Sequence, residues 1–457
     1  MGLPKSSDYS ESIDDRSSSE QSASPKTALS VIDAVALIVG IVIGAGIFET
    51  PALVASNTGS NFNVLLAWII GGVVSLIGAL CYAELATTYP HVGGNYYYLQ
   101  RAYGGAIAFL FAWARMTVVQ TGSIALLAFV FGDYASEILP LGTYSGAIYA
   151  AGAIVLFTII NILGLKQGKG AQNWLTAAKV LGLVLVIIAG LTSSGSPVPQ
   201  AAPGSEPITT SWGMAMIFVL LSYGGWNEAA YISAEIRNPN RNIARSLFWG
   251  IGIIAAIYIA INFAYLHGLG VNGMANSSAV AADLMRNVFG QPGVIFISLL
   301  VAVSALGALN ATVLTGARTN YALGQDFSVF RFMGQWQGEK NSPIPALIVQ
   351  GAIALLLVAL GAWRRKGFET MVEYTAPVFW FFFLLVGFSL IIFRFKEPNR
   401  PSAFRVPFYP ITPILFCGIC GFLLYSSLVY VKEGAIAGVI VLALGVPVLM
   451  WQRRVDS

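Results

Sequence analysis

Few residues in this sequence are equipped for chemistry, and they sit inside long apolar runs. Histidine occurs twice and cysteine three times, at Cys81, Cys417 and Cys420, each in an apolar stretch. That offers no clustered metal ligands and no disulfide framework, and the cysteines read as small hydrophobes. No nucleophile–base constellation stands out, so an enzyme is not expected and no cofactor is implied. What remains is backbone chemistry at two glycine-centred interruptions. The first is Gly44-Ala45-Gly46-Ile47-Phe48-Glu49-Thr50-Pro51, and the second is Ser222-Tyr223-Gly224-Gly225-Trp226-Asn227-Glu228. Glycine favours non-helical backbone and admits a ligand close to the chain, and Pro51 removes a helix hydrogen bond. Unwound backbone in hydrocarbon must find partners for its freed N–H and C=O groups. An amino acid supplies both kinds. Its carboxylate suits the positive N-terminus of a half-helix that begins after Gly44–Gly46. Its ammonium suits carbonyls around Ser222–Gly224. For either interruption alone, close helix packing through small residues is an equal reading. Their occurrence as the first members of two five-span halves favours a transport site.

Charged residues inside the apolar runs are the second signal. Lys179 lies in Asn173-Trp174-Leu175-Thr176-Ala177-Ala178-Lys179-Val180-Leu181, well into a span. A charge at such depth is costly and marks function by default. A lysine snorkelling to the interface is the competing reading. A buried Lys179 would be either a proton carrier or a permanent strut. Arg115 is a substrate contact or a structural charge paired with Glu49 or Glu228, and these two carboxylates are themselves candidate cavity charges.

These residues need a membrane scaffold to position them. Of 457 residues, 56% are hydrophobic and 10% are charged, against about 25% charged in an average soluble domain. So few charges cannot coat a soluble globule of this size. The net charge of +4 is too small for a nucleic-acid field, so no nucleic-acid partner is expected. Residues 1–28 are Ser-, Asp- and Glu-rich at their start and read as a disordered tail, not a signal peptide. Twelve stretches approach the ~20 apolar residues that span a bilayer. They are 29–56, 62–88, 104–132, 143–164, 171–192, 209–236, 246–268, 291–323, 344–362, 369–393, 411–431 and 434–451. Lys and Arg concentrate on one side, in the tail and at Arg101, Lys166, Lys169, Arg237, Arg241, Arg245, Arg331, Lys340, Arg394 to Arg405 and the C-terminus. The other side holds only Arg286, the run Arg364-Arg365-Lys366 and Lys432. The bias predicts both termini in the cytoplasm.

Gly-Ala-Gly-Ile-Phe at 44–48 with Pro51 resembles the first-span motif of the amino acid–polyamine–organocation (APC) transporters. Tyr82-Ala83-Glu84-Leu85 with Pro90, Gly93, Gly94, Tyr96 and Tyr98 resembles their second span and first cytoplasmic loop. Ser222 to Asn227 with Glu235, Asn238-Pro239 and Arg241-Asn242-Ile243 resembles span 6 and its exit, and Tyr-Gly-Gly-Trp-Asn is most similar to the L-type amino acid transporter (LAT) branch. Arg318, Tyr321-Ala322 and Glu397-Pro398…Arg405-Val406-Pro407 are similar to span 8 and the loop after span 10. The resemblance runs over roughly residues 29–451.

The resemblance implies an all-α membrane protein of the LeuT type. Twelve helices form two inverted five-span repeats (29–393), with helices 1 and 6 broken, followed by helices 11 and 12 (394–451) and a cytoplasmic C-terminus (452–457). It implies substrate binding by Gly44, Ala45, Gly46 and Ile47 on one side and Tyr223, Gly224, Gly225, Trp226 and Asn227 on the other. It implies that Lys179 stands in for a sodium ion, bridging spans 1 and 8, and that Glu84, Glu235 and Arg318 form a cytoplasmic gate. The expected activity is sodium-independent movement of neutral L-amino acids across the plasma membrane, by exchange or proton coupling. The alternatives are a cationic amino acid or polyamine carrier, which uncharged Asn227 argues against, and an amino acid sensor. Animal members join a heavy subunit through a cysteine between spans 3 and 4. Asp133 to Tyr144 has none, so no disulfide-linked subunit is expected, as in stand-alone prokaryotic relatives in the bacterial inner membrane.

Overall fold

The computed structural model describes residues 30–44, 46–89, 94–163, 169–193, 211–227, 239–336, 342–429 and 433–455. Among these residues the regular structure is helical. Nine helices are long and apolar enough to cross a membrane, and two shorter apolar helices lie at Lys179–Thr192 and Trp212–Ser222. The predicted tail and the expected sites at Ala45, Glu228 and Glu235 fall outside the described residues.

The first apolar stretch is not one helix. It forms α1 (Val31–Val42) and α2 (Gly46–Thr58), with the chain turning at the glycine motif. Helix α3 (Asn61–Thr88) follows, its N-terminus capped by the Ser60 hydroxyl, which accepts from the Asn63 N–H at 3.2 Å. A short α4 (Asn95–Tyr103) leads into α5 (Gly105–Ala114), a π-helical turn (Arg115–Val119) and α6 (Gln120–Ile138). Helices α7 (Ser145–Ile162) and α8 (Lys169–Thr192) complete the first half of the chain.

Helix α9 (Trp212–Ser222) stops after eleven residues, at the second glycine motif. Helices α10 (Pro239–Ala275) and α11 (Val280–Asp326) are long because each continues across a glycine with positive φ, Gly270 (67°) and Gly290 (65°). Only glycine takes that backbone without strain, so each marks a sharp bend between a span and a short flanking helix. Helices α12 (Ile344–Arg364), α13 (Gly367–Lys396), α14 (Ile411–Val429) and α15 (Glu433–Val455) finish the chain.

The two short half-helices lie at the centre of the packing. Helix α2 packs on α9, and α10 packs on α1, α2 and α3. On α3, Gly71 and Gly72 let α9 approach: a β-carbon at Gly71 would sit 2.3 Å from Val219, and one at Gly72 would sit 3.2 Å from the Tyr223 hydroxyl. Trp68, Tyr223 and Tyr258 form a buried aromatic cluster against that contact, with ring centroids 5.0–6.0 Å apart. Small polar side chains join helices elsewhere, as where Asn161 donates to Asn310 at 2.7 Å. The three cysteines are free and buried.

Candidate substrate-binding site

A helix end leaves its last carbonyls without intrahelical partners, and here two such ends converge. Helix α1 stops at Val42 and α9 at Ser222. The Tyr258 hydroxyl of α10 lies 2.9 Å from the Val42 carbonyl and 3.0 Å from the Ser222 carbonyl. A phenol has one proton, so it cannot satisfy both acceptors at once. The same junction is held from α2. The Thr50 and Ser222 hydroxyls are 2.6 Å apart. A β-carbon at Gly46 would lie 3.1 Å from the Ser222 hydroxyl oxygen. Glycine at position 46 therefore sets how closely the two interrupted segments meet. After Ser222 the chain turns through Tyr223–Gly225, with Gly225 at φ 107°, and makes a single 3-10 turn at Trp226–Asn227.

Beside this junction is a cavity of about 280 Å³. It is at the small end of ligand sites, a size that suits a single amino acid. Gly224, Gly225 and Asn227 form one wall. Phe111, Arg115, Val119 and Ser123, spaced four residues apart, form another. The π-helical turn begins at Arg115 and adds a residue to this face, a device common at functional sites. Thr375 and Trp380 of α13 contribute from the third side, and Asn95 at the start of α4 also reaches the wall. Trp226 is buried, edge-on to Tyr82 with ring centroids 5.2 Å apart.

A second constellation lies at one end of the bundle. Glu84, buried on α3, accepts from Arg394 at 2.7 and 2.8 Å and from the Val406 N–H at 2.6 Å. The Arg394 guanidinium covers the Tyr409 ring at 4.2 Å. Beyond it, Glu397 takes Arg101 at 2.7 Å and Arg400 at 2.9 Å, and both guanidinium groups lie over Tyr89. These contacts tie α3, α4, α13 and the segment before α14 together.

The comparisons with known proteins agree with this geometry. The amino acid permease family model matches residues 29–450. The chain belongs to the amino acid permease family. It is 32% identical to the human b(0,+)-type amino acid transporter 1 over 422 residues, which cover 90% of this chain and 85% of that one. It is 28% identical to the serine/threonine exchanger SteT of Bacillus subtilis (strain 168), covering 94% and 97% of the two chains. It is also 28% identical to the human large neutral amino acids transporter small subunit 2, covering 94% and 82%. The resemblance to the APC superfamily and its L-type branch is thereby borne out, and the chain is a multi-pass membrane protein of a transporter family.

Within this family member the residues expected at the site fall into three groups. Gly46, Gly224, Gly225, Asn227 and Arg115 are at the junction or on the cavity wall. Gly44 lies in the turn after α1, Ile47 is fully buried in the first turn of α2, and Tyr223 is buried with its hydroxyl donating to the Trp68 carbonyl at 3.0 Å. Lys179 is 6% exposed on α8, which packs against α10 and α11.

Two expectations take a different form. Glu49 is buried but is not on the cavity wall. Gly46 and Thr50, four residues apart, share the face of α2 that meets α9. Glu49 lies about 100° around the helix from Thr50, on the side where the Phe48 carbonyl accepts from Tyr134 of α6 at 3.1 Å. Arg318 is exposed on α11, and the guanidinium that engages Glu84 is that of Arg394, 310 residues along the chain. Ser123, Thr375, Trp380 and Tyr258 were not singled out from sequence. They are single polar or aromatic residues in apolar runs, and only packing says which way they face.

Proposed function

We propose that this chain is a sodium-independent secondary transporter that carries neutral L-amino acids across the plasma membrane by alternating access, through exchange or proton coupling. The observation that carries the reading is the meeting of two interrupted helices, where one Tyr258 hydroxyl is divided between the Val42 and Ser222 carbonyls. That arrangement keeps acceptor capacity for a substrate ammonium. The first turn of α2 supplies N–H groups for its carboxylate. In this reading Gly44, Ala45, Gly46 and Ile47 hold the carboxylate, and Tyr223, Gly224 and Gly225 hold the amino group. Trp226 and Asn227 gate and line the site. The side chain of the substrate enters the cavity lined by Arg115. A cationic side chain or a polyamine would meet that guanidinium unfavourably, which favours a neutral substrate.

The full architecture belongs to the same reading. Helices α1 and α2 make one broken span, and α9 with the residues after it makes the other. With the remaining helices these give twelve spans in two inverted five-span repeats plus two. Both termini face the cytoplasm, on the side of the Glu84–Arg394 pair, where Glu84 and Glu235 belong to the inner gate. The burial of Lys179 favours a cation that replaces sodium over a snorkelling lysine. No disulfide-linked heavy subunit is required.

Purified protein in liposomes tests the reading with a radiolabelled amino acid panel, with and without sodium and with internal amino acid. Neutral amino acids should be taken up without sodium. Uptake of polyamines alone would reject the substrate class. Uptake that requires sodium, or a Lys179→Ala variant with normal uptake, would reject the role of Lys179.

A further inference from the structure

The binding site does not use Glu49, yet Glu49 is the first acidic residue of the half-helix that begins at Gly46. It is 9% exposed, and its Oε1 has no hydrogen-bond partner. On α10, the Tyr265 hydroxyl is fully buried, also without a partner, and within charge range of Glu49. On α6, Asp133 lies within charge range of Glu49. The next residue, Tyr134, fixes the geometry by donating to the Phe48 carbonyl and packing edge-on against the Phe48 ring. Among the described residues no cation pairs with either carboxylate. Arg286 of α11 is engaged by Glu137 at 2.7 Å and by Asp283, and Arg365 lines the same recess as Asp133 without an ion pair to it.

Asp133 also has access to water. It lines a separate recess of about 110 Å³, whose rim is formed by the exposed residues Thr143, Tyr144 and Arg365. The site for its carboxylate is built into α7: a β-carbon at Gly146 would lie 2.6 Å from Asp133 Oδ1.

We propose that Glu49 and Asp133 are a proton-binding pair, loaded from the recess through Asp133, that couples amino acid movement to a proton gradient. The proposal rests on the transport reading above and selects proton coupling from its two modes. Two carboxylates within charge range in a low-dielectric interior, with no ion pair to either among the described residues and Arg365 only at the rim of the recess, hold a shared proton in place of a second negative charge. A hydronium ion in the recess gives its proton to Asp133 and leaves water, and Asp133 passes the proton to Glu49. Tyr265 of α10 and Tyr134 of α6 are the hydroxyls within charge range of Glu49, and that of Tyr134 is given to the Phe48 carbonyl. Neutral Glu49 leaves the N-terminus of α2 free for a substrate carboxylate. Ionised Glu49, three residues from Gly46, repels it. Proton and zwitterion therefore load together, and uptake rises as the recess side is acidified.

Infrared pH titration of the full chain tests the pair without any substrate. A protonated carboxylic acid band that persists to neutral pH should be present in the wild type, absent in Glu49→Gln and shifted in Asp133→Asn. In liposomes, with radiolabelled L-leucine as the probe, an inward gradient of one pH unit should concentrate leucine about tenfold at one proton per substrate. Glu49→Gln, fixed in the neutral state, should exchange leucine regardless of pH and concentrate it about onefold. An infrared band unchanged in both variants would overturn the proposal. So would gradient-driven accumulation that survives Glu49→Gln, or accumulation driven by sodium and lost in that variant. If leucine does not move under any gradient, the neutral amino acid reading fails, and the infrared titration alone decides for the pair.

Discussion

Two buried carboxylates on neighbouring elements of this protein, Glu84 and Glu49, are treated in opposite ways. Both Glu84 oxygens are engaged, by a bidentate guanidinium and a backbone N–H, and an aromatic ring covers the guanidinium. Glu49 keeps an oxygen with no partner and lies within charge range of another carboxylate and of an unpartnered phenol. A saturated charge resists any change of protonation or position, because every alternative leaves a polar group bare. An unsaturated one has somewhere to put a proton. The helix junction lies between these extremes, with one hydroxyl serving two carbonyls. Satisfaction of buried polar groups thus separates a part that holds the bundle together from a part that binds and changes.

The strongest test of this contrast is to unbalance the saturated side. Arg394→Ala leaves Glu84, with a side chain 4% exposed, buried without its cation. Losing one partner of a buried pair costs about 3–5 kcal/mol. Thermal unfolding of the purified protein should show that loss, and Glu84→Gln added to Arg394→Ala should recover part of it. A single variant that unfolds at the wild-type temperature would remove the distinction drawn between the two carboxylates.

The junction should respond by less. Tyr258→Phe removes one hydroxyl, leaving the Ser222 carbonyl without it and the Val42 carbonyl with only the Gly44 N–H at 2.7 Å, at about 1–3 kcal/mol in stability. Because those carbonyls belong to the proposed ammonium site, amino acid uptake should fall about tenfold or more, beyond what reduced protein level accounts for. Uptake at the wild-type rate, measured per folded protein, would show that the shared hydroxyl is packing alone.

The glycine motifs made both interruptions legible in the sequence, because two of them at matching positions of two halves point to broken helices where one alone reads equally as close packing. Hydropathy placed the long helices. Orientations about the helix axis were not legible. Arg115 could be named as a deep charge, but the π-helical turn that brings it onto the cavity wall with Ser123 is a choice of hydrogen-bond register, which no residue type announces. Glu84 was placed in an ion-pair network, but not with Arg394, since a pairing over 310 residues follows from packing. Asp133 enters the sequence reading only as the start of a stretch without cysteine. Its proximity to Glu49 is a tertiary fact.

The smallest effect is expected at the outer layer of the Glu84 end, where saturation is reached in water. Arg101 and Glu397 have side chains 36% and 29% exposed, so their pair contributes about 0–1 kcal/mol and is screened by salt. Hydrogen bonds from Arg101, and then from Arg400, hold the Glu397 carboxyl below the usual 4.5, against the opposing effect of partial burial. A carboxyl with a lowered folded-state value stabilises the fold above the unfolded value, and that contribution is lost as pH falls through the folded value. The gap in unfolding temperature between wild type and Arg101→Ala should therefore be small at about pH 7 and close as the pH falls below 4.5 and through the lowered value of Glu397. It should also shrink as salt is added. A gap that widened on acidification would assign the loss to a group that gains charge there, and Glu397 would not be the partner that Arg101 serves.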